Sequence, residues 1–166
     1  MLSGGGETRG RRAASVSCVQ IEAVETVDAD ELVALYGSVG WSAYAADPES
    51  LAMAIARSTY VVTARHDGEL IGLARGLSDD MAIFYLQDVL VHPEWQQQGV
   101  GRALLTACLE RFAHVRQKVL LTDDEERQHR FYESMGYRDT RGITPPGLHA
   151  FVQIRGMGPD TDGATS

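Results

Sequence analysis

Apolar residues change period several times along this chain, and each change predicts an element. Over 15–24, Val16, Cys18, Val19, Ile21 and Ala23 approximate a period of two, which suits a first strand. Asp28 stands where a helix cap belongs, and Glu31 three residues on completes a capping box. Leu32, Val33, Leu35 and Tyr36 give that helix an apolar face, and it should end near Gly37 or Gly40. A short aromatic and polar link of Trp41, Tyr44 and Asp47 precedes a second helix, opened by Pro48 and running to about residue 56. A β-branched run over 59–65, the turn His66-Asp67-Gly68-Glu69 and a returning run over 70–77 predict a hairpin. After Ser78-Asp79-Asp80 the longest strand covers 81–91. A polar Gln/Gly segment then leads into a helix from Gly101 to about Ala113, with Ala103, Leu104, Ala107, Cys108, Leu109 and Phe112 on its buried side.

Residues 117–122 form another apolar run, and its approach through a crossover helix implies parallel pairing with the strand before that helix. Asp123 to Glu126 offers caps and first-turn acids for a helix over 127–135, stopped by Gly136. Residues 137–140 and 148–155 read as two last strands joined by a loop containing Pro145-Pro146-Gly147. The order is β α α β β β α β α β β: an α/β (α+β) fold with a mixed, mostly antiparallel sheet of six to seven strands and helices on both faces.

The 166 residues suit one domain over 16–155, between tails at 1–15 and 156–166 whose composition predicts disorder. At 44% hydrophobic and 23% charged the chain is ordinary for a globular protein. It has neither an apolar run of the roughly 20 residues that span a bilayer nor a signal-peptide core, so a cytoplasmic location is expected. The charges of the two tails cancel, leaving the formal net charge of −8 on the body, which argues against a nucleic-acid footprint. Cys18 and Cys108 suggest neither a disulfide framework nor a metal site, and both are expected to be reduced core residues.

The stretch from Val89 to Leu105 carries the most specific chemistry in the chain. Gly99 and Gly101, just before a helix, allow close backbone approach and leave N–H groups at a helix N-terminus, where the dipole favours anions. A Walker A loop is excluded, because no Lys and hydroxyl follow the glycines. A dinucleotide fingerprint would need glycine where Leu104 stands and a βαβ opening where three antiparallel strands are predicted. A phosphate cradle of another kind, or a plain turn, remains.

The segment Gln96-x-x-Gly99-x-Gly101, after the strand Leu86-Gln87-Asp88-Val89-Leu90-Val91 and the break His92-Pro93, resembles the acetyl-CoA-binding motif of the GNAT superfamily of N-acetyltransferases. About 30 residues later, Phe131-Tyr132-Glu133-Ser134-Met135-Gly136-Tyr137 resembles a second element of that family. The resemblance implies a pyrophosphate on the segment Gln96, Gln97, Gln98, Gly99, Val100, Gly101 and Arg102, and a pantetheine arm along Val89, Leu90 and Val91, paired with Val89 and Val91. It implies that the Val89 N–H polarises the thioester and that Tyr132 protonates the departing thiolate.

Where some members carry Glu-Asp this chain has Gln87-Asp88, so Asp88 becomes the candidate base; strand alternation sends it to the opposite face from Gln87 unless a bulge re-aims it. The family often has Asn and Ala where Glu125 and Gln128 stand. Acceptor contacts are expected from Trp41, Tyr44 and Gln87, with Asp47 and His149 or Tyr137 nearby. The implied partner is a small-molecule or peptide amine, with no nucleic acid, membrane or metal, and the resemblance is compatible with a homodimer. The competing readings are a noncatalytic acyl-CoA-binding module and a transferase of longer acyl groups.

Overall fold

A computed structural model describes residues 18–144 and 147–154. The expected disorder of 1–15 and 156–166, the strand start at 15–17, and Pro145, Pro146 and Arg155 lie outside them. The described chain divides into two compact units, one reaching Leu121 and one beginning at Thr122.

The first unit carries a five-stranded sheet: β1 (Gln20–Val24), β2 (Tyr60–His66), β3 (Glu69–Ser78), β4 (Ile83–Val91) and β5 (Gln117–Leu120). The strands lie side by side in chain order, antiparallel from β1 to β4 and parallel between β4 and β5. Asp67 (φ 49°) and Gly68 (φ 86°) make the β2–β3 turn with two left-handed residues, as its Asp-Gly signal predicts.

Helix α1 (Ala29–Ser38) is capped by the Asp28 carboxylate, which accepts the N–H groups of Asp30 and Glu31; such a cap contributes about 1 kcal/mol. Glu31 does not close the capping box. Its carboxylate pairs with both terminal nitrogens of Arg65, at 2.6 and 2.7 Å, a stronger partner than one backbone N–H. The aromatic link folds as a short helix α2 (Ser42–Ala45), and α3 (Pro48–Ala56) follows under an Asp47 cap.

Leu32, Leu35, Tyr36, Leu51 and Ile55 from α1 and α3 pack with Val61, Leu70, Leu73 and Leu90 of the sheet. Helix α4 (Val100–Arg111) covers the other face, burying Val100, Leu104, Leu105 and Cys108. Leu105 is buried where Leu109 was expected, and Ala103, Ala107 and Leu109 are half-buried. Phe84 stacks on Phe112 at 4.2 Å on this side, and a Cβ at Gly76 would run into the Phe84 ring, so glycine is required there.

Cys108 is the buried free thiol that the sequence predicts, whereas Cys18 is exposed and precedes β1. No helix among the described residues is long and apolar enough to cross a membrane.

The second unit holds α5 (Glu126–Ser134) and a 3-10 turn, Thr140–Gly142. Glu125 occupies the N-cap without a side-chain cap bond, so the expected acidic cap is absent. The two last strands expected at 137–140 and 148–155 are not formed in the described residues, so the sheet has five strands rather than six to seven. Alternation reports a face, and a strand also needs a partner.

Candidate functional site

The site grows from an irregularity in β4. Against β3, Arg75 pairs with Asp88 and Gly76 with Leu86, so Gln87 is an extra residue, a β-bulge. Phe84 and Leu90 are six residues apart and in a regular strand would share a face. Here Phe84 packs on Phe112 beside α4, and Leu90 packs with α1 and α3. The bulge reverses the parity of everything after it. Asp88 thereby reaches the α1 side, and the Gln87 amide lies 3.5 Å from its Oδ1.

Backbone groups change sides as well. The His92 N–H donates to the Ile71 carbonyl of β3 at 2.8 Å. Alternation therefore turns the N–H and C=O groups of Val89 and Val91 away from β3. On that side β5 has already ended, since its pairing stops at Leu86 with Leu120. Buried polar backbone groups need partners, and the Val91 carbonyl has one in the Gln96 side-chain amide at 3.1 Å.

That amide ties the glycine loop to the open half of β4. Pro93–Trp95 forms a 3-10 turn, the Gln98 amide donates back to the Glu94 carbonyl at 2.6 Å, and Gln97 (φ 61°) and Gly99 (φ 86°) are left-handed. Gly99 is the N-cap of α4, and the first bond of that helix runs from the Ala103 N–H to the Gly99 carbonyl. The N–H groups of Val100, Gly101 and Arg102 stand ahead of this ladder at the positive end of the dipole. Gln97, Gln98, Gly99 and Arg102 are exposed, so an anion has access. The side chains of Gln96 and Gln98 brace the loop.

Asp88 is 1% exposed and heavily engaged. Its Oδ2 accepts the Arg75 Nε–H and, at 2.7 Å, the Tyr36 hydroxyl. Burial raises the Tyr36 pKa, and the Asp88 charge raises it further, so the phenol stays a donor. Burial works against the Arg75 charge, but the attraction and hydrogen bond of Asp88 outweigh it and the pKa rises. Sequence reading missed Arg75 and Tyr36 as site residues. Arg75 on an otherwise buried strand is the signal that was available, since a buried charge needs a partner.

Tyr36 also carries the aromatic pair expected on the acceptor side. Its ring centroid lies 6.0 Å from Trp41 and 5.9 Å from Tyr44, which are 5.8 Å from each other. Trp41 is 36% and Tyr44 45% exposed. Asp47 is occupied in capping α3, where it accepts the Ser50 N–H.

In the second unit, Tyr132 lies on α5 with its ring 5.1 Å from Phe131 and 6.0 Å from Tyr137. Glu125 and Gln128, which depart from the family pattern, bond to each other at 3.2 Å, and Thr122 donates to the Gln128 amide oxygen. His149 is exposed.

Comparison with known proteins agrees with this geometry. The acetyltransferase (GNAT) domain model matches residues 32–146. The chain belongs to the GNAT acetyltransferase family. A histone acetyltransferase of Glycine max is 30% identical over 132 residues, 70% of this chain and 55% of the relative. A GNAT family acetyltransferase from Streptococcus pneumoniae is 28% identical, with a TM-score of 0.72 over 82% of this chain and 98% of that one. An aminoglycoside N-acetyltransferase solved in complex with CoA shares the fold, with a TM-score of 0.65 and 16% identity over 87% of this chain and 99% of that one. The chain spans about half the length of the curated relatives it matches.

Proposed function

We propose that this chain transfers the acetyl group of acetyl-CoA to a primary amine of a small molecule or peptide, by direct attack of the amine in a ternary complex. The observation that carries the reading is the open side of β4, where the Val89 and Val91 main chain faces outward beside the loop leading into α4. CoA in an aminoglycoside acetyltransferase of the same fold supports the donor, and a histone acetyltransferase among the relatives supports a peptide amine as one acceptor class. Acetyl-CoA supplies an activated acetyl thioester, a pyrophosphate and an amide-bearing arm.

The chain's own residues fit those groups. Val89 and Val91 offer amide and carbonyl positions at strand spacing for the arm. The N–H groups of Val100, Gly101 and Arg102 hold the pyrophosphate, and Gly99 takes the left-handed turn that brings them forward. The Val89 N–H stabilises negative charge on the reacting carbonyl oxygen. Tyr132, in the role its motif implies, gives a proton to the departing sulfur; a phenol of pKa about 10 is close in basicity to a thiolate of about 8.5. Trp41, Tyr44 and Gln87 meet the acceptor. Asp88 is already an acceptor for two donors, so the amine enters in its neutral form, and the proton it sheds on becoming an amide returns through water to the Tyr132 phenolate.

A noncatalytic acyl-CoA-binding module is the second reading, favoured by Gln87 at a position where a Glu could act as base. Calorimetry with CoA, together with thiol release from acetyl-CoA and hexylamine, phenethylamine, spermidine or a lysine peptide, separates the two. Transfer to an amine above the hydrolytic background supports the enzyme; CoA binding with none supports the module; tighter binding of a longer acyl-CoA moves the donor. Tyr132→Phe should lower kcat about 10²-fold or more while CoA affinity stays within about twofold. Equal loss of both overturns the proton-donor role.

A further inference from the structure

The Tyr36–Asp88–Arg75 cluster lies outside the cofactor contacts, and its cost demands a reason. A buried ion pair adds little to stability over an apolar replacement, which leaves the fixing of one arrangement of the joined segments as the role to test. Four segments meet at it. Arg75 comes from β3, Asp88 from β4, Tyr36 from α1, and Arg75 also donates from Nη1 to the Ser58 hydroxyl after α3, at 3.3 Å. Asp88 immediately follows the bulge residue Gln87 and precedes Val89, the first residue with its main chain on the open side. Tyr36 in turn touches both Trp41 and Tyr44. One continuous set of contacts thus runs from the open half of β4 to the half-exposed aromatic pair.

We infer that the Tyr36 hydroxyl, Asp88 and Arg75 form a positioning unit that holds the Trp41–Tyr44 pair in register with the β4 bulge and so sets how the acceptor amine is bound. The inference rests on the transferase reading for its acceptor and assigns Asp88 to positioning rather than proton transfer. Arg75 fixes the carboxylate, the carboxylate fixes the Tyr36 hydroxyl, and the Tyr36 ring supports the aromatic pair. None of the three needs to touch a reacting atom. The aromatic faces and the acidic body favour an amine carrying an apolar or cationic portion.

Tyr36→Phe keeps the ring and deletes one hydroxyl, so it isolates the link. With acetyl-CoA and phenethylamine, hexylamine or spermidine, KM for the amine should rise roughly tenfold, the scale of one lost hydrogen bond to a charged group. The kcat and the calorimetric affinity for CoA should stay within about twofold. An unchanged amine KM, or a rise matched by loss of CoA affinity, overturns the inference. Fluorescence gives a readout independent of turnover. The chain has two tryptophans, so Trp95→Phe leaves Trp41 alone. Acrylamide quenching of Trp41 should increase in Tyr36→Phe, and unchanged quenching overturns the positioning role. If the unsubstituted protein binds no CoA, the transferase reading fails by itself, and quenching still decides whether the hydroxyl holds the pair.

Discussion

The two halves of β4 run through the same sheet, and one inserted residue gives them opposite properties. Phe84 to Leu86 is paired on both edges, with β3 and with β5, and packs Phe84 against Phe112 beside α4. Asp88 to Val91 is paired with β3 alone, places Leu90 against α1 and α3, and turns two backbone residues outward. The first half is closed by packing; the second is kept in shape by polar contacts, from Arg75 and Tyr36 on one side and Gln96 on the other. An open strand beside a ligand site cannot rely on a neighbouring strand, and side chains supply the restraint instead.

The second half of β4 depends most on Asp88. Asp88→Ala leaves Arg75 buried without its counter-charge and should cost about 3–5 kcal/mol in urea unfolding, more than an apolar truncation of that size. A cost below about 1 kcal/mol would mean that the second half does not depend on its polar restraint. Gly76→Ala attacks the closed half. The added methyl meets the Phe84 ring and the Tyr85 carbonyl at 2.8 Å, so about 1–3 kcal/mol should be lost through packing. Its loss should not vary with pH, and CoA affinity measured on the folded fraction should hold.

The smallest effect serves as a control remote from both halves. The Arg65 hydrogen bond holds the Glu31 pKa below its ordinary value of 4.5. A carboxyl depressed in the folded state stabilises the protein above its unfolded pKa, and that stability is lost as pH falls through the folded value. Glu31→Gln should therefore cost about 0.5 kcal/mol near pH 7, with the gap to the unsubstituted protein narrowing as the pH falls below 4.5 in parallel thermal unfolding. A gap that persists at low pH would assign the effect to packing.

Local chemistry was legible in the chain. Asp28, the Asp67-Gly68 turn, Pro48 and Gly99 each act over a few residues, and their elements formed within two residues of expectation, as did β4, whereas β1 starts later than expected. The glycine turn into α4 was legible for the same reason. The roles of Glu31 and Asp88 were not, because their partners lie 34 residues away at Arg65 and 13 and 52 residues away at Arg75 and Tyr36. Nor were the missing strands at 137–140 and 148–155, since apolar alternation carries no information about whether a neighbouring strand is at hand.

The GNAT class, the order of elements from β1 to α5 apart from the short helix α2, and the glycine turn into α4 follow from motifs and spacing within short stretches of sequence. Tertiary structure alone decided that Gln87 is an extra residue, that Asp88 consequently points to α1, and that Arg75 and Tyr36 claim its carboxylate. A period-two strand is blind to a bulge until a partner strand sets the register, and only then do side chains and backbone groups acquire a face.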